Sequence, residues 1–294
     1  MDSIEEKRVY GDREGAITAY VASAMGVVRV RVAGDTVGEF GLCERCAVRD
    51  IAATRDAVAI ATDRDIRVCP LESERDDGTA SEDETFVETG FGPAVAVGYD
   101  GGDLIGADPE GRVARRAGGS EEWVTLEDEA VETVRAIDGD LVGADRGVFR
   151  VHGGGLDHAG LTDVRDVSAA GVPLAATADG LYKLGNGWMA VLEGSFDTVA
   201  ADPRSRRGHI ERAHAVSGET IYASTGDGEW LADDDASDRI VGFGYGDETY
   251  AVTETGTFRS SSEDGWRRRL LGVTDVVGMA VPATTPPKTD SPAR

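Results

Sequence analysis

Cys43 and Cys46 bracket a Cys-Glu-Arg-Cys segment, and Cys69 is the only other cysteine of the chain. Two thiolates at that spacing can chelate zinc, and Cys69 could add a third ligand, but a closed structural site takes four. No histidine lies near them in sequence. A redox pair of this spacing expects a strand–helix–strand setting, which the flanking residues do not supply. The competing reading is three reduced cysteines packed in a core, since three thiols cannot complete a disulfide framework.

A second group is basic. Arg204, Arg206, Arg207 and Arg212 crowd the segment RSRRGHIERAH together with His209 and His214. Positive charge concentrated on an acidic chain suits an acidic partner, a phosphate or RNA; a solvated loop with local ion pairs is the alternative. The two histidines are not at a same-face helical spacing, which argues against a metal. A third group is Asp50, Asp166 and Asp275, each at the start of a short apolar run, with Thr133 and Thr198 in the corresponding slots. Three converging carboxylates could hold a divalent cation or polarise a substrate. Equally, each could accept backbone N–H bonds in its own turn. The acidic stretch ESERDDGTASEDE, residues 72–84, reads as a solvated loop. There is no G-x-S-x-G elbow and no glycine-rich phosphate loop opening a helix.

Whether these residues meet depends on a repeat. Short apolar segments recur around Ile51, Val95, Val134, Val167, Val199, Ile240 and Val276, with a small residue or valine two places on: Ala53, Val97, Ala136, Ala169, Ala201, Gly242, Gly278. Small side chains suit strands converging on an axis. A second strand ending in Ala-Thr or Ala-Asp follows, then a turn at Gly26, Gly111, Gly147, Gly180, Gly228 or Gly256, with Arg64 in the remaining copy. Two residues on stands an apolar side chain, from Val28 to Phe258, and then, in five copies, a basic one. The clearest unit, 163–194, reads as four strands. Four short strands per unit, repeated radially, predict an all-β, seven-bladed β-propeller of four-stranded blades.

The two ends complete each other. The segment from Ile17 to Leu42 carries the second to fourth strands of a unit without a first, and Val273–Val281 carries a first strand alone. The C-terminal strand is therefore expected to close the N-terminal blade. One domain over 16–281 results, preceded by a segment 1–15 of uncertain role and followed by a proline-rich tail, 282–294, whose composition predicts disorder.

The chain has 294 residues and a formal charge of −25, and only Lys7, Lys183 and Lys288 are lysines. Arginine-dominated, strongly acidic composition suits a cytoplasm rich in salt, where repulsion is screened within about 3 Å at molar concentration. It argues against nucleic acid, whose non-specific binding depends on Lys and Arg neutralising phosphates, and against anionic lipid. No apolar stretch is long enough for a membrane helix, and Glu5, Glu6, Lys7 and Arg8 stand where a signal peptide needs an apolar run.

The segments Thr253–Trp266 (TETGTFRSSSEDGW), Thr177–Trp188 (TADGLYKLGNGW) and Thr220–Trp230 resemble BNR/Asp-box propeller repeats. Ser262-Glu263-Asp264-Gly265-Trp266 approximates the Asp-box itself. Over nearly its whole length the chain resembles a haloarchaeal β-propeller family. That resemblance implies a fold and a lineage and carries no activity with it.

The expectation is a non-catalytic scaffold with a protein partner, docked through the loop of Arg204, Arg206, Arg207, His209 and Arg212. The alternative is a hydrolase or lyase using a divalent cation at Asp50, Asp166 and Asp275. The cofactor and the oligomeric state are left open, and a cytoplasmic location is expected.

Overall fold

A computed structural model describes residues 16–71, 85–126, 131–226, 228–233 and 238–283. The acidic stretch 72–84, the first 15 residues and most of the C-terminal tail lie outside the described residues.

Strands form wherever valine, isoleucine and alanine alternate or run together between turn residues. They are β1 (Ala16–Ser23), β2 (Gly26–Ala33) and β3 (Thr36–Glu44); β4 (Val48–Ala53), β5 (Ala57–Thr62), β6 (Ile66–Pro70) and β7 (Val87–Glu88); and β8 (Ala96–Asp100), β9 (Asp103–Ala107), β10 (Val113–Arg116) and β11 (Val124–Thr125). Next come β12 (Val134–Asp138), β13 (Leu141–Ala144), β14 (Gly147–His152) and β15 (Gly155–Gly160), then β16 (Val164–Ser168), β17 (Leu174–Thr177), β18 (Gly180–Leu184) and β19 (Trp188–Glu193). The last are β20 (Thr198–Ala201), β21 (Ala213–Ser217), β22 (Thr220–Ser224) and β23 (Trp230–Asp233), β24 (Ile240–Tyr245), β25 (Thr249–Thr253), β26 (Thr257–Ser262) and β27 (Gly265–Leu270), and β28 (Val276–Ala280).

These strands make seven four-stranded antiparallel sheets. Six are consecutive quartets, and the seventh has the order β28-β1-β2-β3, so the ring is a seven-bladed propeller closed by its last strand. Val21 lies opposite Met279 and Ala22 opposite Gly278. The core sits between blades. Seven apolar clusters fill the seven seams; Ile17, Val28, Tyr250 and Phe258 pack the seam between the last blade and the first. Second strands are covered on both faces, so β13 and β17 are buried throughout, which explains why they read as continuous short apolar runs. Outer strands such as β27 are mostly exposed.

The Ala-Thr signature has a turn-chemical cause. At the end of the second strand the Thr62 hydroxyl donates to the Asp65 carbonyl (2.8 Å) and that of Thr177 to the Gly180 carbonyl (2.8 Å). Each thereby closes the hairpin that a side-chain hydroxyl favours. Where Asp108 replaces the threonine, its carboxylate accepts the N–H groups of Glu110 and Arg112. The chain's four tryptophans all stand at or just before an outermost strand. Trp123 donates to the Thr89 carbonyl, Trp188 to the Ala159 carbonyl and Trp266 to the Asp233 carboxylate, each reaching back to the preceding blade.

Two sequence registers differ from expectation. Strand pairing puts Val48 and Val164, not Ile51 and Val167, level with Val134 and Ile240. Each of these four strands has a bulge just after that residue, so its two buried apolar residues stand three apart (Val48/Ile51, Val164/Val167, Val134/Ile137, Ile240/Phe243) and either can pass for the anchor. In the sixth blade the second-to-third turn lies at Gly218, and Gly228 belongs to the following turn.

Candidate functional site: the channel and the 202–212 insertion

The bulges determine what faces the axis. An extra residue in one strand of a pair twists the backbone and re-aims a side chain. At the bulged position stand Arg49, Arg135, Arg165 and Val241, and β28 contributes Val277 beside its own irregularity. All five line a central cavity of about 400 Å³. Past the bulge, alternation points Asp50 and Asp166 into the same space, with Asp138 and Ser168 two residues further along their strands.

Asp50 and Asp166 therefore lie together in the channel, but Asp275 does not join them. It is not among the channel-lining residues; it precedes β28 with φ of 54°, and its carbonyl accepts the Ala24 N–H. Asp138 and Asp197 also line the channel, Asp197 as the partner of Arg165; the sequence reading missed Asp138 because the register slip hid its equivalence to Ser168.

Each channel carboxylate ties one blade to the next. Asp50 accepts the N–H of Ile51 and that of Val97 on the neighbouring blade (both 2.8 Å). Asp166 repeats the arrangement with Val167 (2.9 Å) and Val199 (2.8 Å). Asp138 accepts the Ala169 N–H at 2.8 Å. Asp50 and Asp166 are half-buried and Asp138 is more open, but all three lie within the channel that the inner strands surround. Burial accordingly pushes Asp50 up to about 7 and Asp166 up to about 8, against the pull of their N–H donors; Asp138 is raised for the same reason.

The arginines are held by their next-blade neighbours. Arg135 Nη1 donates to Asp163 (2.5 Å) and the Val164 carbonyl; Arg165 Nη1 donates to Ser195 Oγ and Asp197 (both 2.7 Å). The Arg135 guanidinium holds Asp163 below the usual carboxylate range. Arg49 is exposed and has no carboxylate partner among the described residues.

The basic insertion joins β20 to β21 and is a built loop. Asp202 is almost fully covered, its side chain 5% exposed, and takes Arg204 at 3.0 Å and Arg212 at 2.6 Å. Burial would raise its pKa, but hydrogen bonds from Arg204 and Arg212 outweigh that and hold it low. Both arginines also donate to the Gly246 carbonyl, and the Gly208 N–H docks on the Gly171 carbonyl of the preceding blade at 2.9 Å. Arg204 and Arg212 are thus committed internally, whereas Arg206, Arg207 and His209 are exposed. Among the described residues Arg206 pairs with Glu211 alone, at 3.3 Å, and its side chain is 80% exposed. His214 belongs to β21, not to the loop. It is buried against Phe243 with Nδ1 3.1 Å from the Tyr245 hydroxyl, and burial, with Arg212 nearby, lowers it to about 4.

Cys43, Cys46 and Cys69 pack into one apolar cluster between the first two blades, and no disulfide joins them. Burial, reinforced by Glu44, raises the Cys46 thiol, which works against a thiolate ligand or nucleophile. Among the described residues, no group of three or more His, Cys, Asp or Glu side chains is arranged to hold a metal ion, and no helix is long and apolar enough to cross a membrane.

No curated protein matches the chain in sequence. In fold it is similar to the WD40 β-propeller domain of Doa1, with a TM-score of 0.57 and 16% identity over 89% of this chain and 90% of that one. It is also similar to YCF48, solved bound to D1 peptide, with a TM-score of 0.53 and 11% identity over 87% and 86%. At such identities the likeness is one of architecture. The family model described as "Beta-prop_HVO_0234:-like, beta propeller" matches residues 3–282, and the chain belongs to that β-propeller family.

Proposed function

We propose that the protein is a non-catalytic interaction scaffold that docks an acidic protein partner on the face carrying the 202–212 insertion. The observation that carries this reading is the Asp202 clamp. Two arginines are used to fix the loop, so that Arg206, Arg207 and His209 stand outward on a rigid base. A fixed basic platform on a chain of net charge −25 attracts complementary charge without the ordering cost of a flexible loop. Two propellers of similar fold, one of them solved with a peptide, are in keeping with it. The hydrolase or lyase alternative has less support, because backbone N–H groups already occupy the carboxylates that would bind its cation.

Affinity purification from a high-salt lysate is expected to recover a stoichiometric companion, and the double substitution Arg206→Glu, Arg207→Glu to lose it. Recovery of the chain alone, or a companion indifferent to the charge reversal, refutes the reading.

A further inference from the structure

We infer that the arginine-bearing mouth of the channel is a second binding site, built to take the C-terminal tail of a partner protein that ends in an aliphatic residue behind acidic ones. The inference stands apart from the docking loop. The insertion leaves the C-terminal end of its inner strand, β20, whereas Arg49, Arg135 and Arg165 stand near the N-terminal ends of theirs, at the opposite mouth.

The mouth is divided. Arg49, Arg135 and Arg165 come from the second, fourth and fifth blades, while the equivalent positions of the seventh and first blades carry Val241 and Val277. All five line one cavity. Val277 is 41% exposed and Val241, half-buried, packs against the core of the closing seam, so the apolar surface on offer there is mainly that of Val277. One side of the opening therefore offers guanidinium groups and the other offers apolar surface.

The arginines are also oriented for a ligand. Among the described residues, Arg135 and Arg165 spend only Nη1 on their hydrogen bonds. Their Nη2 and Nε donors stay available, and Arg49 keeps its whole fork. A planar fork with two free donors matches a carboxylate bidentately. A terminal residue bearing a carboxylate and an aliphatic side chain spans both halves at once. A chain end also fits a mouth ringed by seven strands, where an internal segment would need two exits.

The test uses the full chain and a fluorescein-labelled peptide ending Asp-Glu-Val-Leu with a free carboxylate, followed by anisotropy at rising KCl. Saturable binding is expected, weakening with salt as rim charges are screened. Arg49→Glu, at a position with no carboxylate partner to disturb, should weaken it at least about tenfold, about 1.4 kcal/mol by the standard conversion. Val277→Ser, replacement of the terminal leucine by glycine, and amidation of the carboxylate should each weaken it several-fold. Arg206→Glu with Arg207→Glu should leave it unchanged, so failure here and failure of the docking-loop reading are told apart. The inference is overturned if no binding saturates by millimolar peptide. Equal binding of the amidated and free-acid peptides, an unaffected Arg49→Glu variant, or citrate competing as tightly as the peptide would also overturn it.

Discussion

Asp166 gives the sharpest physical test of the channel, because two forces on it oppose each other. Its two oxygens each accept a backbone N–H, at 2.9 and 2.8 Å, which favours the anion. Enclosure disfavours it, and the balance holds the group up to about 8. A native carboxyl that keeps its proton while the unfolded chain gives it up contributes stability that is complete below the unfolded value, near 4. That stability is lost as pH rises towards 8. Between pH 4 and 7 the full shift corresponds to about 4 kcal/mol. Asp166 is only half-buried, and halving the figure for solvent screening leaves about 2 kcal/mol, or roughly 4 °C of melting temperature for a domain of this size. Asp166→Asn removes the titration but turns an amide N–H₂ towards one of the two N–H donors, at a pH-independent cost of about 1–3 kcal/mol. Thermal unfolding of both proteins from pH 4.5 to 8, in constant molar KCl, should give curves that lie apart in acid and converge by neutrality. Parallel curves would mean that the N–H donors win and the carboxylate is ionised throughout, and the reasoning on the channel would be wrong.

Other outcomes follow from single contacts. Gly256→Ala should lower the urea midpoint clearly, since the position has φ of 84° and an added Cβ would lie 2.0 Å from the Val273 carbonyl oxygen. Gly272→Ala, with φ of 76° and open space around it, should cost only the backbone strain of about 1 kcal/mol. Arg212→Ala should destabilise by about 2–4 kcal/mol in chemical denaturation because Asp202 stays buried with half its compensation gone. Arg206→Ala, four-fifths exposed, should stay within about 0.5 kcal/mol of the parent. Trp188→Phe keeps the ring but loses the bond to the Ala159 carbonyl, and should cost about 1 kcal/mol in the same assay.

The ring was legible in the sequence because its signals are local: a threonine, aspartate or serine at the end of the second strand, a small residue near the axis, and complementary ends. Residues 163–194 were read strand for strand. The channel was only half legible. The bulge spaces the two buried apolar residues of each inner strand three apart, and the sequence reading took the second in two blades (Ile51, Val167) and the first in others (Val134, Ile240, Val276), so Asp50 and Asp166 were aligned with Asp275 while Asp138 went unnoticed. The arginines at the bulge were missed for the same reason, since Arg49, Arg135 and Arg165 become equivalent only once Val48 and Val164 replace Ile51 and Val167 as the reference. The insertion showed its charge in the sequence but not its division of labour. Which arginines are internal depends on Asp202 and on Gly246, a residue of the next blade.

The pairing of β1 with β28 also shapes the life of the nascent chain. During synthesis β1 leaves the ribosome first with its axial edge unpaired, and the segment that covers it follows all six other blades. For that interval an apolar strand edge is open to any neighbour, the condition under which chains stick to one another. The clasp of one molecule would fit β1 of another just as well, which makes reciprocal exchange of this strand the natural route to a dimer when many copies fold side by side.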